Sequence, residues 1–305
     1  MRRPLAAVGF VFALLALPPA ARAQQLADTS LAVGGRVWVT SGYSSNSIEF
    51  SELRWRGVDS IVTEVNVDFV WRRLVLMGSL GGGRIDDGVL IDEDFNEPGH
   101  RDRFAVTRSG VDDTGLVYVN ADVGWRLLAW GQREQPGFVD ALVGYQYWFE
   151  RYVAFGITGT STSPLVVTSL SPSVKAITQE YQWHSLRVGG RTQIPLFGGL
   201  SLKARAFVLP WSKSLIQDVH HRRSELRQDP SFDEEADGGV GVQVDGGLTY
   251  RVWGGLSVEI GYQYWRVNSG EGTVTQHSRT GDVTGRLLEN RAERYGPYVG
   301  VQYRF

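Results

Sequence analysis

Two short polar clusters carry residue types that can activate a water molecule. Asp92 and Asp94 lie two positions apart, and so do Asp218 and His220. In extended backbone, residues two apart project to the same side of the chain. Neighbouring carboxylates repel each other unless a proton, a cation or water lies between them, while a carboxylate beside an imidazole raises its basicity. The first pair is therefore suited to holding a polar group, and the second to removing a proton.

Both clusters also have plainer interpretations. The acidic stretch 86–97 is typical of a solvated loop. His220 is compatible with an ordinary surface histidine or, together with His221, with a weak metal site. A serine or cysteine nucleophile has less support, because the 305-residue chain contains no cysteine and no Gly-x-Ser-x-Gly elbow.

The elements that must position these residues are β-strands. Apolar and polar residues alternate over long stretches, most clearly in 61–71, 117–127, 200–208 and 240–250. A side-chain period of two gives each strand one apolar and one polar face. Both a β-sandwich and a membrane barrel show this alternation.

Three features favour the barrel. Several strands exceed ten residues, the length that a tilted strand needs to cross a bilayer. The chain ends on an alternating strand, 295–305, whose terminal Phe305 resembles the closing strand that the barrel assembly machinery reads in bacterial outer-membrane proteins. Tryptophans near strand ends are typical of interfacial girdles. They are Trp71, Trp125, Trp148, Trp211, Trp253 and Trp265.

Counting the strands predicts a ring of ten. Eleven alternating segments are visible, at 31–41, 47–57, 59–72, 73–85, 114–127, 138–150, 180–194, 199–211, 238–252, 255–268 and 292–305. Bacterial single-chain barrels have even strand numbers, so we join 47–57 and 59–72 into one strand bent at Gly57. The predicted fold is an all-β, ten-stranded antiparallel transmembrane β-barrel of the outer-membrane type.

Short and long connections alternate along this predicted ring. Short turns are expected at 72–73, 128–137, 195–199 and 252–255, and long loops at 86–113, 151–179, 212–237 and 269–291, with a shorter tip at 42–46. Outer-membrane barrels have short periplasmic turns and longer extracellular loops. With both termini periplasmic, every long loop lies outside the cell. The two clusters then lie in the first and third long loops, nearly opposite each other across the extracellular mouth.

The remaining features indicate an exported protein with one domain. Residues 1–23 have the positive start, apolar segment and Ala-Arg-Ala end of a signal peptide, which leaves 24–305 as a single barrel domain. An exported chain without cysteine is not held together by disulfides. The formal net charge of −2 argues against a nucleic-acid partner, which would require a basic surface.

At several places the sequence resembles the omptins, a family of ten-stranded outer-membrane aspartate–histidine endopeptidases. The segment 51–55 is similar to the family's Ser-x-Leu-Asp-Trp, and 91–99 to its apolar-Asp-x-Asp-aromatic motif followed by Pro-Gly. The segments 114–120 and 144–146 match the family's fourth and fifth strands. The segment 211–220 reproduces the spacing of its Trp and Asp-x-His.

The resemblance implies a site, a mechanism and a location. The four catalytic positions of the family fall on Asp92, Asp94, Asp218 and His220. His220 would be the general base, oriented by Asp218, while the first pair holds the water, with no covalent intermediate and no metal. The resemblance implies a peptide or protein substrate, contacts with outer-membrane lipid, and an active site that faces the cell exterior. Lipopolysaccharide is a candidate requirement for activity, and no other cofactor is expected.

Departures from the family pattern predict altered specificity. Members that cut between basic residues carry two pocket acids, at positions that align with Asn46 and Ile216 here. An arginine in that pocket would lose two charge-assisted partners, so we expect weak or absent selection for Arg or Lys. The strand phase before Asp218 and His220 would turn both toward lipid, so we also expect a bulge near Pro210 that turns them inward.

Two other functions are compatible with the sequence. One is a non-enzymatic barrel, an adhesin or structural protein on an omptin-like scaffold, which the loss of the pocket acids permits. The other is a lipid-modifying barrel enzyme with a Ser-His pair at the lipid boundary, for which His184-Ser185 is an unremarkable candidate. Replacing His220 discriminates between the first of these and an endopeptidase, because a non-enzymatic barrel keeps its function.

Overall fold

The computed structural model describes residues 29–112, 114–132 and 135–305. These residues form fourteen β-strands. The strands are β1 (Thr29–Ile48), β2 (Ser51–Arg56), β3 (Ser60–Trp71), β4 (Leu74–Ile85), β5 (Val89–Glu97), β6 (Arg101–Val111), β7 (Thr114–Gln132), β8 (Gln135–Ser161), β9 (Ser169–Pro195), β10 (Leu200–His220), β11 (Phe232–Trp253), β12 (Leu256–Asn268), β13 (Gly272–Ser278) and β14 (Gly281–Arg304). Among the described residues, no helix is long and apolar enough to cross a membrane. The signal peptide predicted for 1–23 lies outside the described residues.

Ten of the strands close into a ring. Antiparallel pairing runs in the order β1, β3, β4, β7, β8, β9, β10, β11, β12, β14, and β14 pairs back with β1. A closed ring has no exposed sheet edge, so its backbone groups hydrogen-bond with one another, as a lipid environment requires. The prediction of an all-β, ten-stranded antiparallel transmembrane β-barrel of the outer-membrane type is confirmed.

The barrel continues beyond this ring as a second tier. We call the end with Thr29 and Arg304 the base and the opposite end the top. β2, β5, β6 and β13 extend β3, β4, β7 and β12 toward the top, so the upper ring runs β1, β2, β5, β6, β8, β9, β10, β11, β13, β14. The predicted bend at Gly57 is confirmed by its φ of 57° between β2 and β3.

The long loops predicted from the sequence are wrong. Most of the residues in 86–113, 151–179, 212–237 and 269–291 belong to the upper tier of strands, and the predicted tip at 42–46 lies within β1. Above the bilayer, the outward face of a strand meets water and not lipid. The inward face of this tier also carries charged residues, such as Asp92 and Asp94 on β5, so the apolar alternation that marks a strand in the sequence is lost there.

An apolar belt surrounds the lower tier. Val65, Leu80 and Val119 are neighbours on the outer face of β3, β4 and β7, where they are 58%, 56% and 43% exposed. A continuous apolar surface of this kind is unfavourable in water but matches the hydrocarbon of a bilayer. The belt therefore marks the part of the barrel that spans the membrane.

The predicted aromatic girdle is correct only in part. Trp71, Trp125 and Trp253 are outward and at least 50% exposed near the base. Trp148 and Trp265 are instead buried inside the barrel, with ring centroids 5.7 Å apart. The glutamine two positions before each of these two tryptophans is also buried, so the strand phase turns both indoles inward.

Side chains fill the interior of the barrel. Near the base, Arg36 pairs with Glu64 at 3.0 Å and with Asp245 at 2.7 Å. Higher up, the buried side chains of Arg294 and Glu150 form an ion pair. A filled interior leaves the ends of the barrel as the places where a large substrate has access.

A bulge in β10 decides which way the second polar cluster faces. The pairing of β10 with both of its neighbours changes register around Pro210, a residue that has no N–H to contribute to the ladder. Buried positions are odd-numbered up to Leu209 and even-numbered from Ser212 onward. The predicted bulge is confirmed, and through it Asp218 and His220 face inward.

The belt predicts how the barrel responds to a lipid-facing charge. Val65→Arg should destabilise the barrel by about 2–4 kcal/mol, because it places a guanidinium against hydrocarbon. Val283→Arg is the control, because Val283 is 64% exposed near the tip of the hairpin between β13 and β14, at the top. Denaturant unfolding in lipid vesicles measures both. Equal losses from the two substitutions would contradict a lipid-facing belt.

Candidate active site

The two predicted clusters lie on strands of the upper tier and not in loops. β5 carries Asp92 and Asp94, and β10 carries Asp218 and His220. Around the upper ring, β6, β8 and β9 lie between β5 and β10. The two strands are therefore four places apart in a ring of ten. Each strand is paired on both sides, which holds its side chains rigidly. Inward side chains from nearly opposite walls therefore meet above the filled interior.

Asp218 and His220 are in close contact on β10. His220 Nε2 lies 3.3 Å from Asp218 Oδ1, and the two side chains are 15% and 3% exposed. The His220 ring packs edge-on against Phe232, with centroids 5.3 Å apart, and the backbone N–H of His220 donates to Ser231 Oγ at 3.1 Å. With Nε2 directed at a carboxylate, Nδ1 is the ring nitrogen that can accept a proton.

The opposite wall presents two carboxyl groups with raised pKa values. Burial, followed by the charges of Asp94 and Asp218, raises the pKa of Asp92 to about 7. Burial also raises the pKa of Asp94, although His220 and a hydrogen bond from its cross-strand neighbour Ser51 oppose the change. Near neutral pH, Asp92 is therefore divided between a form that donates a hydrogen bond and a form that accepts one.

Electrostatic interaction joins the two pairs. Burial alone would lower the pKa of His220, but the charge and contact of Asp218 and the charge of Asp92 raise it above 6.5. In turn, the charge of His220 acts on both Asp92 and Asp94. The four residues thus interact electrostatically across the space between β5 and β10, and we call them the cluster.

His221 faces away from this cluster. Its Nε2 lies 2.9 Å from Thr178 Oγ1 on the neighbouring β9, and burial lowers the pKa of His221. Successive strand residues point to opposite sides, so the imidazoles of His220 and His221 do not converge on one ion. Within the part of the chain that the structure describes, no group of three or more His, Cys, Asp or Glu residues is arranged to hold a metal.

The two predicted pocket positions are buried in the upper wall. Asn46 and Ile216 are each 1% exposed. Asn46 Nδ2 donates to Asn290 Oδ1 at 2.9 Å and also to a carboxyl oxygen of Glu234 on β11. Ile216 precedes Asp218 by two residues on β10 and shares its inward phase. The acid in contact with Asn46 is therefore Glu234.

Glu234 is a candidate that the sequence analysis missed. It is 5% exposed, and burial, followed by the charge of Asp218, raises the pKa of Glu234 to about 8. In the sequence it belongs to the acidic run 233–235. On β11 the side chain of Glu234 points inward, whereas those of Asp233 and Glu235 point outward. The sequence predicts that this strand starts only at residue 238, so it gives no reason to single out Glu234.

The fold is similar to that of a known outer-membrane protein. The outer membrane protease OmpT from Escherichia coli matches with a TM-score of 0.76 and 13% identity, over 90% of this chain and 97% of that chain. The translocator domain of the autotransporter NalP from Neisseria meningitidis has a TM-score of 0.39 and 11% identity, over 90% of this chain and 88% of that chain. By sequence, the chain matches no protein-family model and no curated protein. The protein is thus an outer-membrane-type barrel that shares its fold with the OmpT protease.

Asp92→Asn should make the barrel more stable above neutral pH. The unfolded chain ionises Asp92 near pH 3.8, whereas the folded barrel retains the proton up to a pKa of about 7, so stability falls as the pH rises between these values. An amide removes this loss, and the free energy of unfolding above that range should rise by up to ~4 kcal/mol. Thermal unfolding in detergent, followed by circular dichroism across this pH range, measures the effect.

Glu93→Gln is the matched control for this experiment. Glu93 is the neighbouring acid on β5, but it faces away from the cluster and forms ion pairs with Arg54 and Arg103. We expect Glu93→Gln to leave stability unchanged or to lower it at every pH. A gain equal to that of Asp92→Asn would show that the raised pKa of Asp92 is not the cause.

Proposed function

We propose that this protein is a divergent, omptin-like endopeptidase of the bacterial outer membrane. The observation that supports the proposal most strongly is the contact of Asp218 with His220, opposite Asp92 and Asp94, at one end of a barrel with the OmpT fold. The proposed reaction is the hydrolysis of a peptide bond in a peptide or protein substrate. It requires no covalent intermediate and no metal.

In the proposed mechanism, His220 is the general base. Asp218 holds the Nε2–H of the ring, so Nδ1 takes a proton from a water molecule as the water oxygen attacks the carbonyl carbon. Asp92 and Asp94 hold the water and the polar transition state. When the tetrahedral intermediate collapses, the C–N bond breaks and the proton on His220 passes to the leaving amine.

We also propose that the top of the barrel faces the cell exterior. The upper tier extends beyond the apolar belt, whereas the base has short turns such as 72–73 and 196–199. Outer-membrane barrels have short periplasmic turns and taller extracellular parts. In this orientation the cluster meets substrates outside the cell, and the last strand, followed by Phe305, is the segment that would engage the barrel assembly machinery.

Lipopolysaccharide is the proposed lipid partner. On the outer face of β8 and β9, the Tyr145 hydroxyl lies 2.5 Å from His184 Nδ1, and Arg151 pairs with Glu180 at 3.3 Å. Rings and charges of this kind suit a phosphorylated headgroup.

His220→Ala and Asp218→Ala should each lower kcat/KM by several orders of magnitude, because the pair acts as a unit. His221→Ala is the matched control and should have a much smaller effect, since its ring is directed at Thr178 and away from the cluster. Rates on one peptide substrate in detergent with lipopolysaccharide measure all three. Equal losses from His220→Ala and His221→Ala would contradict the assignment of the base.

The pH profile tests the same base independently of substitutions. His220 must be neutral to accept a proton. Although burial opposes the charged ring, Asp218 and Asp92 raise the pKa of His220 above 6.5. Activity should therefore fall as the pH drops through this raised value. An acid limb of kcat/KM with its midpoint below 6.5 would contradict the mechanism.

Selection for Arg or Lys before the cleaved bond should be weak near neutral pH. Asn46 and Ile216 carry no charge, and burial and Asp218 hold the pKa of Glu234 at about 8. Little negative charge then offsets the desolvation of a cation. Cleavage-site profiling of a peptide library should show a basic preference that grows above this pKa in the wild type but not in Glu234→Gln. A strong dibasic motif at lower pH would contradict the expectation.

A further inference from the structure

Asp218 contacts a second buried side chain, Gln179. The two residues are directly opposite each other in the pairing of β9 with β10, and Gln179 is 0% exposed. Gln179 Nε2 donates to Asp218 Oδ2 at 3.4 Å, while the other oxygen, Oδ1, lies 3.3 Å from His220 Nε2. The carboxylate is thus held between an amide on one side and an imidazole on the other.

Two donors determine the orientation of the Gln179 amide. Trp55 Nε1 donates to Gln179 Oε1 at 2.6 Å, and the Tyr181 hydroxyl donates to the same oxygen at 2.7 Å. An indole N–H can donate but cannot accept. The amide oxygen must therefore face Trp55, and the amide NH2 group must face Asp218.

Aromatic packing holds both donors in place. Trp55 and Tyr181 are each 0% exposed. Trp55 stacks on Tyr152, with centroids 4.9 Å and planes 18° apart, and Tyr152 packs edge-on against Tyr181 at 5.6 Å. Because these rings come from β2, β8 and β9, three separate strands fix a single amide.

We propose that Gln179 is a positioning residue, which prevents rotation of the Asp218 carboxylate and keeps Oδ1 on the His220 ring. An aspartate side chain rotates readily about its last torsion, and the amide donor on Oδ2 opposes that rotation. The catalytic part of this inference rests on the proposed function, in which His220 is the base. The geometric part, that Gln179 controls the contact between Asp218 and His220, does not depend on catalysis.

The ring of His220 reports on this contact. Burial lowers the pKa of His220, Asp218 and Asp92 raise it, and Arg223 lowers it. Asp94 also interacts with the ring. Among the groups that raise the pKa, Asp218 contributes most, so a rotated Asp218 carboxylate should be visible as a lower titration midpoint of His220.

The test compares Gln179→Met with Gln182→Met in the full-length barrel. Methionine keeps the length of the side chain but neither donates to Asp218 nor holds the two donors. Gln182 lies on the same strand with the opposite phase, so it is the matched control. Gln179→Met leaves the buried Tyr181 hydroxyl without its acceptor, which could destabilise the barrel. The double variant Gln179→Met/Tyr181→Phe removes this hydroxyl as well, so it provides a second folded protein for the comparison.

Two readouts separate positioning from activity. Kinetics on a peptide substrate give kcat and KM. Nuclear magnetic resonance of the ¹⁵N-histidine-labelled barrel gives the titration of His220, whose signals are identified by their loss in His220→Ala. We expect Gln179→Met and the double variant to lower the midpoint by about half a pH unit or more and kcat by up to about a hundredfold, with KM nearly unchanged. Gln182→Met should change neither.

The outcomes distinguish this proposal from the proposed function. A folded Gln179→Met or double-variant barrel in which His220 titrates as in the wild type would overturn the proposal, whatever its activity. An equal shift in Gln182→Met would also overturn it. If the wild-type barrel cleaves no peptide, the proposed function fails, while a lowered His220 midpoint in the Gln179 variants would still support positioning.

Discussion

Closure of the β-sheet is the constraint on which the rest of the structure depends. β14 pairs with β1 from Ala32 opposite Arg304 up to Ile48 opposite Leu287, so the ring stays closed through both tiers. In the lower tier, closure satisfies backbone groups that lipid cannot. In the upper tier, it provides rigid walls along which side chains alternate inward and outward. A register slip of one residue would turn every side chain to the other face, which is why the change of phase at Pro210 decides whether Asp218 and His220 meet Asp92.

The upper tier concentrates groups that oppose folding. Burial and like charges raise the pKa of Asp92 to about 7 and that of Glu234 to about 8, so ionisation of either carboxyl lowers the stability of the folded barrel. Groups with strongly perturbed pKa values in proteins cluster at functional sites. Nearby hydrogen bonds from Trp55 and Tyr181 to Gln179, and from Gln179 to Asp218, hold the Asp218 carboxylate in one arrangement. The upper tier therefore combines an unfavourable charge distribution with a rigid frame, a combination suited to a preorganised site.

How much of the fold and of the candidate site could be predicted from the sequence depends on which parts of the chain face lipid. In 59–85 and 114–127 the bilayer imposes an apolar outer face, so the strands, the ring of ten and the bend at Gly57 were readable from alternation. In 89–97 the inward face carries Asp92 and Asp94 beside Leu90, so apolar and polar residues do not alternate and the sequence predicts a loop where the structure has a strand. The spacing of Asp92 with Asp94 and of Asp218 with His220 was visible, because two-residue spacing on one strand is local. The role of Gln179 was not visible, because its donor Trp55 lies 124 residues away in the sequence and a lone glutamine in a strand carries no signal.

The most direct test of this account is whether the folded barrel cuts peptide bonds. Refolded protein in detergent with lipopolysaccharide is incubated with a peptide library, and new termini are identified by mass spectrometry, beside His220→Ala prepared in the same way. The account predicts hydrolytic cleavage by the wild type and essentially none by His220→Ala. Equal cleavage by both proteins would contradict the role of the Asp218–His220 pair. No cleavage by a correctly folded wild-type barrel would contradict the endopeptidase assignment and favour a non-enzymatic barrel on the same scaffold.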